Sequence, residues 1–141
     1  MNTSSKPAVA RDAEPILVIE DEASVAAFLR SALARRGYVV VSSASAADGL
    51  RLLKDGKFCG VISDVRTPGG MSGTDVHAWI RDHRPGLLSR VIFITGDIAN
   101  LQTAKLLEES GVPFIEKPFR VAQLVAVLER TIEVPREDDE R

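Results

Sequence analysis

Five polar positions in this chain have the types that phosphoryl chemistry needs: the acidic pair Glu20-Asp21, then Asp64, Thr95 and Lys117. Three carboxylates packed closely repel one another, and some would take up protons. A divalent cation removes that conflict. Carboxylate oxygens suit a hard ion that keeps several waters, so Mg²⁺ is the expected cofactor. A hydroxyl and an ammonium beside such an ion suit the oxygens of a phosphoryl group. Phosphoryl transfer asks a protein mainly for positioning and charge neutralisation. A carboxylate can itself be the nucleophile and become an acyl phosphate.

These residues are far apart in the chain, so the elements between them must bring them together. Ile16–Ile19 is a continuous apolar run, as in a strand buried on both faces. Val25, Phe28, Leu29, Ala32 and Leu33 recur at helical spacing, with Gly37 as a stop. Tyr38–Val41, Gly60–Ser63, Val91–Ile94 and Pro113–Ile115 are predicted as the next four strands. Ser45 can cap a helix bearing Ala46, Leu50 and Leu53. Val76, Trp79 and Ile80 mark a short helix ending near Pro85-Gly86, and another is predicted from about Ala99 to Ser110. Val121, Leu124, Val125, Leu128 and Ile132 mark the last. Alternating strands and helices predict an α/β fold, a parallel sheet with helices on both faces. Ligands of such sheets bind beyond the carboxyl ends of the strands, where the strand order reverses. Glu20-Asp21, Asp64, Thr95 and Lys117 each follow or end a predicted strand, so they converge there.

The chain has 141 residues, enough for one domain. Its 18 basic and 20 acidic residues lack the basic excess of a nucleic-acid surface. No apolar run approaches the roughly 20 residues that cross a bilayer, and residues 1–14 lack a signal-peptide stretch. A cytoplasmic protein with no membrane partner is expected. Cys59 is the single cysteine, which excludes an internal disulfide and a cysteine-based zinc site; it reads as a small core residue. His77 and His83 are six apart, the wrong spacing for one metal-binding helix face, and read as surface. No glycine-rich phosphate loop is present, which argues against ATP or dinucleotide binding.

Glu20-Asp21, Asp64, Thr95 and the triplet Lys117-Pro118-Phe119 resemble the signature of the receiver domain of two-component response regulators, over roughly Pro15 to Ile132. The resemblance implies a flavodoxin-like, doubly wound five-stranded parallel sheet of order 2-1-3-4-5 with five helices. It divides the chain into an N-terminal tail (1–14), a receiver (15–132) and a charged C-terminal tail (133–141). It implies a phosphorelay role, with Asp64 taking a phosphoryl group from a phosphohistidine in a Mg²⁺-dependent step. Glu20, Asp21, Asp64 and the main-chain carbonyl of Arg66 are the implied metal ligands. Thr95 would bind a phosphoryl oxygen and shift inward, and Lys117 would pair with another. Phe114 matches the aromatic switch position; the plainer alternative is a buried strand aromatic. The Lys117-Pro118 bond is a candidate for the cis isomer. The implied donor is a histidine kinase or histidine phosphotransfer protein. The switched face, made by the fourth helix, fifth strand and fifth helix, would engage a partner protein or a second copy. No enzymatic activity is expected beyond the chain's own phosphorylation and dephosphorylation. The residues after Ile132 are expected to leave no room for an output domain within this chain.

Several positions depart from the family pattern. Thr67 stands where a methionine is usual, and the loop reaches Gly73 one residue late, with the extra residue at Gly69 or Gly70. Arg66 and Asp97 occupy positions where members differ in dephosphorylation rate, and are expected to restrict the attacking water together. Phe114 replaces a common tyrosine and has no hydroxyl to donate. Thr95-Gly96-Asp97 and Pro113-Phe114 resemble receivers attached to sensor histidine kinases. Two other readings are an interaction module that never takes up phosphate and an aspartate-nucleophile phosphohydrolase. The latter usually carries Asp-x-Asp after its first strand, where this chain has Glu20-Asp21-Glu22.

Overall fold

A computed structural model describes residues 14–133. The two expected tails, apart from Glu14 and Glu133, lie outside the described residues. Eleven elements follow in order: β1 (Ile16–Ile19), α1 (Ala23–Arg35), β2 (Val40–Ser43), α2 (Ala46–Asp55), β3 (Gly60–Asp64), α3 (Gly73–His83), a 3₁₀ turn (Pro85–Arg90), β4 (Val91–Thr95), α4 (Leu101–Ser110), β5 (Phe114–Glu116) and α5 (Val121–Thr131). All five strands are parallel, in the order β2-β1-β3-β4-β5.

The side-chain period of two divides the core. Ile16 and Val18 of β1, with Ile92 and Ile94 of β4, pack against Leu29 and Leu33 of α1 and Leu124 and Leu128 of α5. Leu17 and Ile19, with Val91 and Phe93, face the opposite way, onto Leu53 of α2, Val76 and Ile80 of α3 and Leu107 of α4. Both faces of the central strands are therefore covered, as their unbroken apolar runs require.

Caps fix where the helices begin. Ser45 accepts from the Asp48 N–H at the head of α2. Ser72 and Asp75 form a reciprocal capping box at α3. Asn100 accepts from the N–H groups of Gln102 and Thr103, so α4 starts at Leu101 and not at Ala99. The second strand also starts later than its apolar run, at Val40 and not at Tyr38. The N–H groups of Arg36, Gly37 and Tyr38 still close the last turn of α1, onto Leu33 and Ala34 carbonyls. Gly37 turns the chain at φ +94°, so extension begins only after it.

The end of α5 is fastened to the domain. Arg36 donates two hydrogen bonds to Glu133, at 2.9 and 2.7 Å, and the Tyr38 hydroxyl donates a third at 3.0 Å. Burial, then the Glu133 charge, push the Tyr38 phenol above its ordinary value. Glu133 thus acts as part of the folded unit. Cys59 is half-buried against the α1–α5 side of the core. Among the described residues no helix is long and apolar enough to cross a membrane.

Candidate functional site

β1, β3, β4 and β5 all end at one edge of the sheet, and the polar residues gather where they end. β1 delivers Glu20, with Asp21 and Glu22 in the turn before α1. The Glu22 N–H donates to Glu20 Oε2 at 2.9 Å, which fixes that carboxylate inward. Asp64 is the last residue of β3 and Thr95 the last of β4; both are buried. Lys117 follows β5, and its N–H donates to the Thr95 carbonyl at 2.7 Å. The Lys117-Pro118 bond is cis, as expected.

The Lys117 ammonium meets three acids of the crevice. It donates to Asp64 Oδ2 at 2.9 Å and to Glu22 Oε1 at 2.8 Å. Glu20 Oε1 is 2.9 Å away, an ion-pair contact without a directed hydrogen bond. Burial alone would lower the Lys117 pKa. The hydrogen bonds to Glu22 and Asp64, with the ion-pair contact to Glu20, outweigh it and hold the ammonium above its ordinary range. Burial raises the Glu20 pKa, assisted by the Asp64 charge and opposed by the Glu22 N–H and Lys117.

Carboxylate oxygens of Glu20, Asp21 and Asp64 lie within 4.8 Å of one another. Glu20 Oε1 is the buried side-chain oxygen left without a hydrogen-bond donor among the described residues. An all-oxygen set with such an atom fits a hard divalent cation. The fit needs no histidine or cysteine. His77 is half-buried, with its ring edge-on to Phe93, and not on the surface as expected. His83 is exposed and stacked on Trp79.

The loop after β3 is held by Thr67. Its hydroxyl accepts from the Ala46 N–H at 3.1 Å and donates to the Met71 carbonyl at 3.0 Å. Gly69 and Gly70, at φ +94° and +82°, absorb the added length. The loop therefore rejoins α3 at Gly73, whose N–H donates to the Val65 carbonyl at 2.8 Å. Arg66 is exposed; its N–H donates to Asp64 Oδ1 at 3.2 Å, and its side chain runs to α4. Asp97 lies beside it, with Oδ2 3.5 Å from Arg66 Nε. The Asp97 N–H donates to Thr95 Oγ1 at 3.1 Å.

Phe114 is 42% exposed, which contradicts the plainer reading of a buried strand aromatic. β5 is a three-residue edge strand whose central Ile115 points inward, so its neighbours point out. A groove of about 430 Å³ opens beside Lys117, lined by Glu22, Val25, Phe28, Pro118 and Phe119.

Two members of this arrangement lay outside the expected set. Glu22 was adjacent to the acidic pair, so its role was legible as a third acid. Thr103, which takes the Arg66 side chain, gave no signal in the sequence.

The comparisons agree with the geometry. Residues 16–129 match the response regulator receiver domain family. The DNA-binding transcriptional regulator NtrC of Azospirillum brasilense is 32% identical over 120 residues, covering 85% of this chain and 24% of that protein. This chain therefore spans about a quarter of that relative's length. The receiver domain of NtrX from Brucella abortus superposes with a TM-score of 0.74 at 29% identity, covering 84% of this chain and 98% of that one. The receiver domain of a sensor histidine kinase from Pseudomonas aeruginosa, with a magnesium ion in its active-site cleft, shares the fold at a TM-score of 0.74 and 24% identity, covering 86% and 98%. The chain belongs to the receiver-domain family of two-component response regulators.

Proposed function

We propose that this receiver takes a phosphoryl group from a phosphohistidine onto Asp64, in a Mg²⁺-dependent step. A histidine kinase or histidine phosphotransfer protein is the donor. The observation that carries the reading is the Lys117 ammonium donating to Asp64 within the Glu20–Asp21–Asp64 cluster. Bound Mg²⁺ would supply charge neutralisation for the transferred oxygens. Glu20, Asp21, Asp64 and the Arg66 carbonyl are the groups to hold it.

In the step, an Asp64 carboxylate oxygen attacks phosphorus. The P–N bond to the donor imidazole breaks, and its electron pair leaves on nitrogen. Lys117 holds the carboxylate in place and meets one phosphoryl oxygen. The Thr95 hydroxyl meets another and moves inward, and Phe114 follows as the aromatic switch. Arg66 and Asp97 restrict the water that later hydrolyses the acyl phosphate. The response is a shift between two conformations of the α4–β5–α5 face, read by a partner protein or by a second copy. The chain acts in the cytoplasm, with no enzymatic activity on other substrates and no direct contact with nucleic acid or membrane.

Incubation with acetyl phosphate and Mg²⁺ tests the reading. One phosphate should appear by intact mass and be absent in Asp64→Asn. A label that persists in that variant refutes the assignment. No uptake by the unaltered protein, with Mg²⁺ binding intact, favours a module that never takes up phosphate.

A further inference from the structure

One buried polar group lies outside the crevice and points at it. Thr103, in the first turn of α4, is 0% exposed. A buried hydroxyl must find partners, and this one has two. Thr103 Oγ1 accepts from Arg66 Nε at 2.9 Å and donates to Asp97 Oδ2 at 3.3 Å. The same Nε is 3.5 Å from that carboxylate oxygen. The hydroxyl therefore links a cation two residues past Asp64 to an anion two residues past Thr95. Its own backbone is fixed, because the Thr103 N–H donates to the Asn100 cap at 3.1 Å and the Asn100 N–H donates to the Asp97 carbonyl at 3.0 Å.

Arginine carries five N–H donors in a planar fork. Both contacts here use Nε, at the root of the fork. The Nη edge is the part that can reach over an acyl phosphate. Arg66 and Asp97 side chains are each about half exposed, so their mutual attraction in water is weak. The buried hydroxyl gives the pair its fixed point.

We propose that Thr103 is a positioning residue that sets the phosphate lifetime: its hydroxyl anchors Arg66 Nε and Asp97 so that the guanidinium screens Asp64 from attacking water. The inference rests on Asp64 being the phosphoacceptor. It adds a residue of α4, whose first turn borders the switched face, to the control of hydrolysis. It also makes a chemical distinction between arginine and lysine. A lysine at 66 would place a methylene where Nε–H now meets Thr103, and so would keep the charge but lose the anchor.

The full chain is phosphorylated with acetyl phosphate and Mg²⁺, freed of donor, and followed by loss of phosphate. Thr103→Val, which is isosteric and lacks the hydroxyl, should shorten the lifetime roughly fivefold, the scale of one net hydrogen bond. Thr103→Ser should restore it. Arg66→Ala and Arg66→Lys should both be as short-lived as Thr103→Val, and the double variant Arg66→Ala/Thr103→Val no shorter than either single. The Arg66 variants change an exposed side chain, so they decide the matter even if Thr103→Val does not fold. An unchanged lifetime in Thr103→Val, or a wild-type lifetime in Arg66→Lys, overturns the inference while leaving the phosphoacceptor reading intact. A label absent from the wild type, or present in Asp64→Asn, overturns both.

Discussion

Replacing Gly73 by alanine should damage the fold and the crevice together. A Cβ at Gly73 would lie 2.3 Å from the Asp64 carbonyl oxygen and 2.9 Å from Ser63 Oγ. The first contact is with backbone and cannot rotate away, so α3 must withdraw from β3 by about 1 Å to reach ordinary contact. That withdrawal strains the 2.8 Å hydrogen bond from the Gly73 N–H to the Val65 carbonyl. Overpacking of this kind costs about 1–3 kcal/mol, and a lost net hydrogen bond about 1 kcal/mol. Alanine returns some of this by restricting the unfolded chain, about 0.4–1 kcal/mol. The net loss is about 2 kcal/mol, which lowers the urea midpoint by roughly 1 M. Acetyl phosphate uptake should slow by about tenfold or more, because the strand end carrying Asp64 moves. Gly86→Ala is the matched control: nothing lies within 4 Å of its added methyl. Its unfolding free energy should stay within about 0.5 kcal/mol of the parent. If Gly73→Ala is as stable as Gly86→Ala, the close packing of α3 on the acceptor strand is refuted.

Glu133→Ala should cost about 2 kcal/mol in urea unfolding, because it removes the acceptor of three hydrogen bonds and strands the buried Tyr38 hydroxyl; a loss under about 0.5 kcal/mol refutes the clasp. Burial, with help from the Arg81 charge, holds the His77 imidazole below its ordinary 6.5. Between that lowered value and 6.5 the unfolded chain binds more protons than the native one, so stability falls as pH drops through 6.5 and levels off below the folded pKa. His77→Gln should flatten the change in melting temperature between about pH 7.5 and 5.5, and an equal slope in that variant refutes the assignment. Mg²⁺ at about tenfold over its dissociation constant should stabilise the protein by about 1.4 kcal/mol, seen as a rise in melting temperature that a chelator reverses. Asp21→Ala, at an exposed position, should lose that rise, and retention of it removes Asp21 from the ligand set.

The crevice was legible because its residues sit at strand ends, and a parallel sheet puts those ends along one edge whatever the loops do. Glu20, Asp64, Thr95 and Lys117 needed only the strand assignments and the order to be brought together. Residues whose place depends on how a chain leaves an element were less legible. Tyr38 has strand propensity, yet the α1 terminus claims its N–H, and Glu133 claims its hydroxyl. Phe114 is apolar in an apolar segment, yet an edge strand of three residues buries only its middle one. Thr103 is the extreme case. A threonine in a helix carries no periodic signal, and its two partners come from loops 37 and 6 residues away.

The charge balance of the crevice bears on how the proposed switch can work. Glu20, Asp21, Glu22 and Asp64 against Lys117 leave an excess of three negative charges, of which one divalent cation offsets two. Phosphorylation would replace one carboxylate charge by about −1.5 to −2 on the phosphoryl group. The total thus changes by about one unit or less, while the charge moves outward from the strand end. Groups that respond to position, not to total charge, must then carry the signal. Thr95 is such a group. Its hydroxyl now accepts the Asp97 N–H, and moving inward to donate to a phosphoryl oxygen would break that bond. Asp97 is the carboxylate that Thr103 holds, in the first turn of α4. On that reading the inward step of one threonine would release Asp97, whose carboxylate meets Thr103 at the start of the helix that borders the switched face. Thr95→Ser, which keeps the hydroxyl, should preserve both phosphate uptake and the accompanying change at α4. Thr95→Val should still accept phosphate through Asp64 and Lys117 but leave the amide signal of Thr103 unmoved when phosphate is added. A shift of that signal in Thr95→Val equal to that in the parent would show that α4 is reached by another route.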